Sequence, residues 1–183
     1  LNLFIAFLPA AIIGLALHKY IKAYLFSPVT VGAALIVGGF LILAIERWHQ
    51  HRGARVNSMA EMTPVDAFKV GIAQAFSLFP GTSRAGATIM GGLLAGLSRT
   101  TATEFSFFLA MPTMFAATLY DLYKNLDLLR VEDVPHFAVG FVAAFLVALV
   151  VVKLFLGYVA RHNFAPFAWY RIGFGTLVLL YFW

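Results

Sequence analysis

The residues that could do chemistry lie in one polar turn, residues 79–88, within a long apolar region. A proline there ends any helix that reaches it, and Gly81 permits backbone conformations that other residues avoid. Thr82 or Ser83 can cap the helix that follows by accepting a hydrogen bond from one of its first N–H groups. Arg84 then adds a fixed positive charge with five donors at that helix start. Because a helix N-terminus beside an arginine suits phosphate, this turn is a candidate phosphate site.

The segments on either side of the turn predict a re-entrant hairpin over residues 63–99. Residues 68–79 and 85–97 are mostly apolar, but each is shorter than the roughly 20 residues that cross a bilayer core. Irregular backbone at membrane depth is tolerated only where protein buries it or where it lines a wet cavity. An arginine there costs roughly 3 kcal/mol, so Arg84 is a functional candidate rather than part of an ordinary connecting turn.

The composition indicates a membrane protein. Hydrophobic residues make up 62% of the 183 residues, against about 45–50% in soluble domains. We therefore predict an all-α, polytopic helical bundle that forms a single membrane domain. The absence of cysteine excludes disulfides and thiolate metal sites. The net charge of +5 comes from basic residues placed singly at the ends of apolar runs, which is typical of membrane loops and not of a nucleic-acid surface.

The predicted hairpin divides five predicted membrane spans. Residues 1–46 hold the first two spans, residues 63–99 the hairpin, and residues 101–183 three transmembrane helices. Between the first two parts, residues 46–52 predict a solvated basic loop whose two histidines have no third ligand nearby and so are not expected to bind metal.

Capping residues predict where the hairpin begins. Thr63 is expected at the N-cap, with Pro64 in the first turn. Asp66 follows at a position where its charge faces the positive end of the helix dipole. It lies three residues before Lys69, so the sequence also predicts an ion pair between them.

Other polar side chains interrupt the apolar segments. A capping-box pattern from Thr101 to Glu104 predicts that the next span starts there, which gives Glu104 a structural role. Its alternatives are to hold Arg99 or to face a polar cavity. Gln74 is either satisfied by a neighbouring helix or directed into the site. Arg171 is expected to snorkel to the membrane interface, with the polar centre as the alternative.

The central turn resembles the signature of a known family. Residues 79–88, Phe-Pro-Gly-Thr-Ser-Arg-Ala-Gly-Ala-Thr, are similar to the PGxSRSGAT motif of the undecaprenyl-diphosphate phosphatases, the bacterial bacitracin-resistance proteins. The resemblance runs over essentially the whole chain. Further matching segments are residues 96–99, 103–107, Pro112, 121–124 and 168–171.

The resemblance implies a multi-pass hydrolase of the bacterial cytoplasmic membrane. Such an enzyme removes the terminal phosphate of undecaprenyl diphosphate, which recycles the lipid carrier for peptidoglycan synthesis and confers bacitracin resistance. The family has inverted repeats, each with a re-entrant hairpin, and works with a divalent cation, magnesium or calcium. The implied partners are a polyprenyl diphosphate and membrane lipids, with a homodimer left open and no nucleic acid.

The resemblance assigns roles to two residues, and we add the residues expected to bind substrate or to support the site. Arg84 falls on the family's catalytic arginine, and Ser83 on the serine before it. The residues expected to bind substrate are Gly81, Thr82, Gly86, Thr88 and Gln74. The residues expected to support them are Arg99, Glu104 and Arg171.

One part of the family pattern has no counterpart in this sequence. The family's first repeat carries two glutamates four apart, a serine-rich turn and a histidine, and neither Glu-x-x-x-Glu nor Ser-Ser-Thr-Gly-His occurs here. The chain begins at Leu1, so we expect an N-terminal truncation, with the metal ligands in the missing part and none in this chain. These 183 residues alone are expected to bind a lipid diphosphate weakly and to hydrolyse it at no useful rate.

A lipid-phosphate or anion carrier is the alternative function. Secondary transporters also bind anions at broken helices near the membrane midplane, within inverted repeats. Release of phosphate would indicate the hydrolase, whereas movement of the intact lipid would indicate the carrier.

Overall fold

The computed structural model describes residues 1–24, 27–126 and 130–182. This part of the chain contains seven α-helices and, apart from a single bridge between Val56 and Leu97, no β-structure, so the all-α prediction is confirmed for it. The helices are α1 (Asn2–Tyr24), α2 (Pro28–Arg52), α3 (Pro64–Ala75), α4 (Arg84–Leu94), α5 (Arg99–Lys124), α6 (Val134–Val159) and α7 (Ala165–Phe182). Short 3-10 helices lie at Met59–Glu61, Phe76–Leu78 and Val131–Asp133.

Three of the described helices, α2, α5 and α6, are long and apolar enough to cross a membrane. Helix α1 adds a shorter apolar stretch, Asn2–Leu17. The fold is therefore that of a helical membrane protein by length and composition. That α1 and α7 also span the membrane, which would complete the predicted five, remains a prediction.

Helix α2 extends further than the sequence pattern indicated. Ser27 caps its start by accepting a hydrogen bond from the Thr30 N–H at 3.1 Å, and the helix ends only at Gly53, whose φ is +71°. The predicted basic loop at residues 46–52 is therefore wrong, because nothing before Gly53 breaks the helix. His49 consequently lies inside the protein, 5% exposed, although its neighbour His51 is exposed as predicted.

The predicted start of the hairpin is confirmed. Thr63 accepts a hydrogen bond from the Asp66 N–H at 3.2 Å, and the Asp66 carboxylate accepts one from the Thr63 N–H at 3.1 Å. The predicted ion pair with Lys69 is wrong, because Asp66 is buried and pairs with Arg55, whereas Lys69 is exposed. The Arg55 backbone is held close by a 2.8 Å hydrogen bond from its N–H to the carbonyl of Gly96.

Helix α5 begins earlier than its capping-box pattern predicted. Ser98 is the N-cap and accepts a hydrogen bond from the Thr101 N–H at 3.2 Å. The Thr101 to Glu104 capping box is therefore wrong, because a competing cap lies three residues upstream. Glu104 lies within the helix, partly buried, and among the described residues it has no hydrogen-bonding or ion-pair partner.

Small residues let the helices approach closely, as is common for helices packed in membranes. Helix α1 packs on α3, α3 on α4, α4 on α5, and α2 on α7. A Cβ added at Gly71 would lie 2.6 Å from the Ala6 carbonyl oxygen, and one added at Gly91 would lie 2.2 Å from the Ala73 Cβ. In contrast, α6 has Val159 as its one buried residue among those described, so nearly all of this apolar helix is exposed.

The carboxylate of Glu46 joins three helices. It is buried, 3% exposed, and accepts hydrogen bonds from Arg99 Nε at 3.0 Å and Nη2 at 2.6 Å. It also accepts one at 3.1 Å from the N–H of Phe164, just before α7. Since α2, α5 and the start of α7 all contribute to this contact, Glu46 fixes the end of the bundle opposite the polar turn.

We predict that Glu46→Ala lowers the free energy of unfolding by about 3 kcal/mol, because it leaves Arg99 without its buried partner. Glu104→Ala is the matched control on α5 and should cost less than about 1 kcal/mol. Thermal or denaturant unfolding in detergent micelles would measure both values. Equal losses in the two variants would contradict this role of Glu46.

Candidate phosphate-binding site

Two short helices and an irregular connection present the polar turn. Helix α3 passes into the 3-10 helix Phe76–Leu78, and α4 begins at Arg84. The Thr82 N–H donates to the Phe79 carbonyl at 3.1 Å and closes the turn between them. The predicted pair of short helices around the turn is thus confirmed, and the two helices pack against each other.

Ser83 has an unusual backbone conformation at the start of α4. Its φ is +71°, and it is the one non-glycine residue with positive φ in the described part of the chain. Residues in such strained conformations cluster at functional sites. The Ser83 side chain is exposed, and its oxygen accepts a hydrogen bond from the Gly86 N–H at 3.2 Å. Because that bond uses the oxygen as acceptor, the hydroxyl proton stays available to a ligand.

Arg84 is held by one side of its guanidinium group. Its Nη1 donates to the carbonyl of Ser106 on α5 at 2.9 Å, and the side chain is half-buried. Among the described residues no acceptor contacts its Nε and Nη2 groups. These two donors form the parallel pair that binds carboxylate or phosphate in a bidentate manner. Arg84 is therefore anchored and still able to bind an anion.

Thr88 and Ser106 form hydrogen bonds next to the contact between Arg84 and Ser106. Their hydroxyl oxygens lie 2.6 Å apart, and the Thr88 hydroxyl also donates to the Arg84 carbonyl at 3.0 Å. Both side chains are almost completely buried. The structure therefore places Thr88, a predicted substrate-binding residue, where it braces the arginine, whereas Gly86 and Thr82 lie at the partly exposed start of α4.

Gly81 brings the turn against α2. Its φ is +87°, and a Cβ added there would lie 2.7 Å from the Val31 carbonyl oxygen. Its own carbonyl accepts a hydrogen bond from Arg171 Nη2 at 2.8 Å. The expectation that Arg171 snorkels to the interface is therefore wrong: the side chain is 9% exposed and is directed inward because α7 packs tightly on α2.

Gln74 lies fully buried in the last turn of α3, two residues before the 3-10 helix. Among the described residues neither its amide oxygen nor its amide nitrogen has a hydrogen-bonding partner. Buried polar groups are nearly always paired, so Gln74 is an exception, and no neighbouring helix in the described part of the chain satisfies its amide. Its predicted role in substrate binding stays a prediction.

Arg99 and Glu104 lie away from the turn. They follow the far end of α4, an 11-residue helix, which is about 16 Å long at 1.5 Å per residue. Arg99 is paired with Glu46 and not with Glu104, so the structure does not bring these two predicted supporting residues together. Sequence reasoning missed Glu46 because it was assigned to a loop, and it missed Ser106 although the family resemblance covers that segment.

The described residues do not fit a divalent metal site. No group of three or more histidine, aspartate or glutamate residues lies close enough together among them to hold a metal ion. Two carboxylates, those of Glu46 and Asp66, are buried. Each of these carboxylates is nevertheless engaged by an arginine, Arg99 or Arg55.

We predict that Gly81→Ala disrupts the turn, whereas Gly86→Ala is tolerated. An added Cβ at Gly81 meets backbone at 2.7 Å and has positive φ, but one at Gly86 makes an ordinary 3.5 Å contact with Ser83. The strain should cost Gly81→Ala about 1–3 kcal/mol of stability. Unfolding in detergent micelles would measure it, and similar stabilities for the two variants would refute this description of the turn.

Known proteins with similar sequences carry names that agree with the chemistry of this turn. Proteins named undecaprenyl-diphosphatase are 57% identical to this chain in Methylobacillus flagellatus, 59% in Aromatoleum aromaticum and 58% in Dechloromonas aromatica. The matches cover 100%, 97% and 98% of this chain but 69%, 64% and 65% of those relatives, so it spans about two thirds of their length. The family described as bacitracin resistance protein BacA matches residues 1–177. The chain belongs to this BacA family.

Proposed function

We propose that this chain provides the phosphate-binding turn of a membrane hydrolase that converts undecaprenyl diphosphate into undecaprenyl phosphate and inorganic phosphate. The observation that carries the proposal is the position of Arg84 at the start of α4, where one nitrogen donates to Ser106 and no described residue contacts its Nε and Nη2 donors. The names of the relatives support this activity and give no support to the carrier alternative.

The chemistry requires compensation of negative charge. Water adds to the terminal phosphorus, the phosphoanhydride bond breaks, and the bridging oxygen leaves with the lipid monophosphate. Hydrogen-bond donors fixed in place before the reaction stabilise the charge that spreads over the phosphate oxygens. In this proposal Arg84 binds two of those oxygens, and the Ser83 hydroxyl and the first N–H groups of α4 donate to the others.

A divalent cation, magnesium or calcium, also belongs to the proposal by family resemblance. A metal ion of this kind would neutralise diphosphate charge that Arg84 alone leaves uncompensated. Since the described residues do not fit such an ion, we expect its ligands in the part of the relatives that this chain does not span.

We further propose that the hairpin is re-entrant within a multi-pass protein of the bacterial cytoplasmic membrane, built from inverted repeats. This topology is supported by a contact between the segment that precedes the hairpin and the hairpin's end. The Ser98 N–H donates to the Val56 carbonyl at 2.8 Å. The exposed apolar surface of α6 suits contact with lipid, and bound polyprenyl diphosphate would place its tail in the same layer.

Arg84 is tested in a chimera in which this chain replaces the matching part of the Methylobacillus flagellatus relative. We predict that Arg84→Ala lowers kcat/KM for undecaprenyl diphosphate by about 10²–10³-fold, as for loss of one fixed transition-state donor. Arg84→Lys should also lose most activity because it retains charge but not the bidentate contact.

The matched control is Arg161→Lys, an exposed arginine between α6 and α7, which should leave activity unchanged. The rate of phosphate release, measured with magnesium or calcium, gives the activity of each variant. The 183-residue chain alone is expected to be much slower than the chimera. Wild-type turnover by Arg84→Lys would refute the assigned role, and transport of intact lipid without phosphate release would refute the hydrolase.

The re-entrant topology predicts that Ser58→Cys and Thr100→Cys react from the same side of the membrane. The chain has no native cysteine, so an impermeant thiol reagent reports each position separately. Asn125→Cys, at the far end of α5, is the control expected on the opposite side. Labelling of Ser58→Cys and Thr100→Cys from opposite sides would exclude a re-entrant hairpin.

A further inference from the structure

Arg171 reaches the polar turn from a distant part of the chain. It starts on α7, passes α2 and donates from Nη2 to the carbonyl oxygens of Gly81 at 2.8 Å and Ala34 at 3.4 Å. The passage depends on a glycine of α2, because a Cβ added at Gly38 would lie 2.5 Å from Nη2 and 3.1 Å from Cζ of Arg171. The absence of a side chain at Gly38 thus leaves the space between α2 and α7 that the Arg171 side chain occupies.

Burying the charge of Arg171 without a carboxylate partner costs free energy, which indicates that the residue has a function. The side chain is 9% exposed, and no carboxylate in the described part of the chain pairs with it. Its Nε has no hydrogen-bonding partner among the described residues. Ionisable residues placed in this way within a membrane bundle mark functional sites by default. Its one short contact, to the Gly81 carbonyl, indicates where to look for that function.

The turn needs an external restraint. Gly81 and Ser83 both have positive φ, at +87° and +71°, and a non-glycine residue there persists only where its surroundings over-determine the conformation. The hydrogen bonds described for residues 79–83 are local, apart from the one that Arg171 donates. The local bonds run from the Phe79 N–H to the Phe76 carbonyl, from the Thr82 N–H to the Phe79 carbonyl, and from the N–H groups of Gly86 and Ala87 to the Ser83 side chain and carbonyl. Gly81 also packs against Val31 and Ala34 of α2, but among the described residues Arg171 is the side chain from outside the hairpin that hydrogen-bonds to this backbone.

We propose that Arg171 is a positioning residue for the phosphate site: by holding the Gly81 carbonyl it keeps Ser83 and the start of α4 directed at the phosphate. This inference rests on the proposed function, since positioning has meaning only if the turn binds the lipid diphosphate. Arg171 itself needs no contact with the substrate. Loss of its restraint should therefore lower kcat more than it raises KM, because a misplacement of about 1 Å can cost about 10²-fold in rate.

The sharpest test displaces Arg171 without changing it. In the chimera, Gly38→Ala pushes the guanidinium group away from the turn and should lower kcat about 10- to 100-fold with little change in KM. Gly39→Ala is the packing control, because the three atoms nearest its Cβ would belong to Ile172, at 2.5 Å and 3.2 Å, and to the Ala168 carbonyl, at 2.8 Å. Gly173→Ala, with nothing within 4 Å, should leave kcat and stability unchanged.

A double-mutant cycle separates positioning from packing. If Gly38→Ala acts through Arg171, it should add little to the loss of kcat in Arg171→Met, because the side chain that it displaces is already shorter. Arg171→Lys should recover part of the activity by donating one hydrogen bond to Gly81. Fully additive losses of kcat in the double mutant would overturn the proposal. The proposal would also be overturned if the loss of kcat were proportional to the loss of stability in both Gly38→Ala and Gly39→Ala.

A second measurement does not depend on the reaction. Amide hydrogen exchange of residues 79–88 in detergent micelles should become faster in Gly38→Ala and Arg171→Met than in Gly173→Ala. Unchanged exchange in both variants would overturn the positioning role even if the chimera is an active phosphatase. If exchange rises as predicted but the unmodified chimera releases no phosphate, the restraint stands and the proposed function is what has failed.

Discussion

The structure depends on holding an irregular connection between two short helices, residues 76–83, against an apolar bundle. At this connection, backbone groups lose their helical partners, and in an apolar environment each one left unpaired is costly. The protein meets this constraint locally, through the Ser83 cap and the hydrogen bond that closes the turn, and remotely, through Arg171. Close approach of α2 and α7 is possible only because glycines line their contact.

Three arginines in this bundle differ in how many of their guanidinium donors are hydrogen-bonded and in whether the acceptor is charged. Arg99 is fully engaged by the buried carboxylate of Glu46, which ties helices together at one end. Arg171 donates to backbone carbonyls. Arg84 donates to a single carbonyl, and no described residue contacts its Nε and Nη2 donors. From this difference we infer that Arg99 stabilises the bundle, Arg171 restrains the turn and Arg84 binds an anion. The two buried carboxylates, those of Glu46 and Asp66, are each paired with an arginine, and no cluster of three candidate metal ligands occurs among the described residues.

Much of the hairpin could be predicted from the sequence because local chemistry determines it. The Thr63 cap, the two short helices and the Ser83 cap depend on residues close together in the chain, and each is confirmed. Contacts between distant residues were not predictable in this way. The position of Glu46 depends on a helix that runs to Gly53, and that of Arg171 on how tightly α7 packs on α2. For the same reason Asp66 was assigned the partner nearest in sequence, although Arg55 is held nearer in space.

The most direct test of the central claim is a distance between phosphorus and the Arg84 guanidinium. Solid-state NMR of the chimera with ¹⁵N-labelled arginine and a polyprenyl phosphate can measure phosphorus–nitrogen distances, with Arg84→Lys identifying the Arg84 signal. A bidentate contact predicts phosphorus about 4 Å from two Arg84 nitrogens, since such hydrogen bonds are about 2.8 Å long. Coupling of the phosphate to another arginine, with none to Arg84, would contradict the account of this turn as the phosphate-binding site.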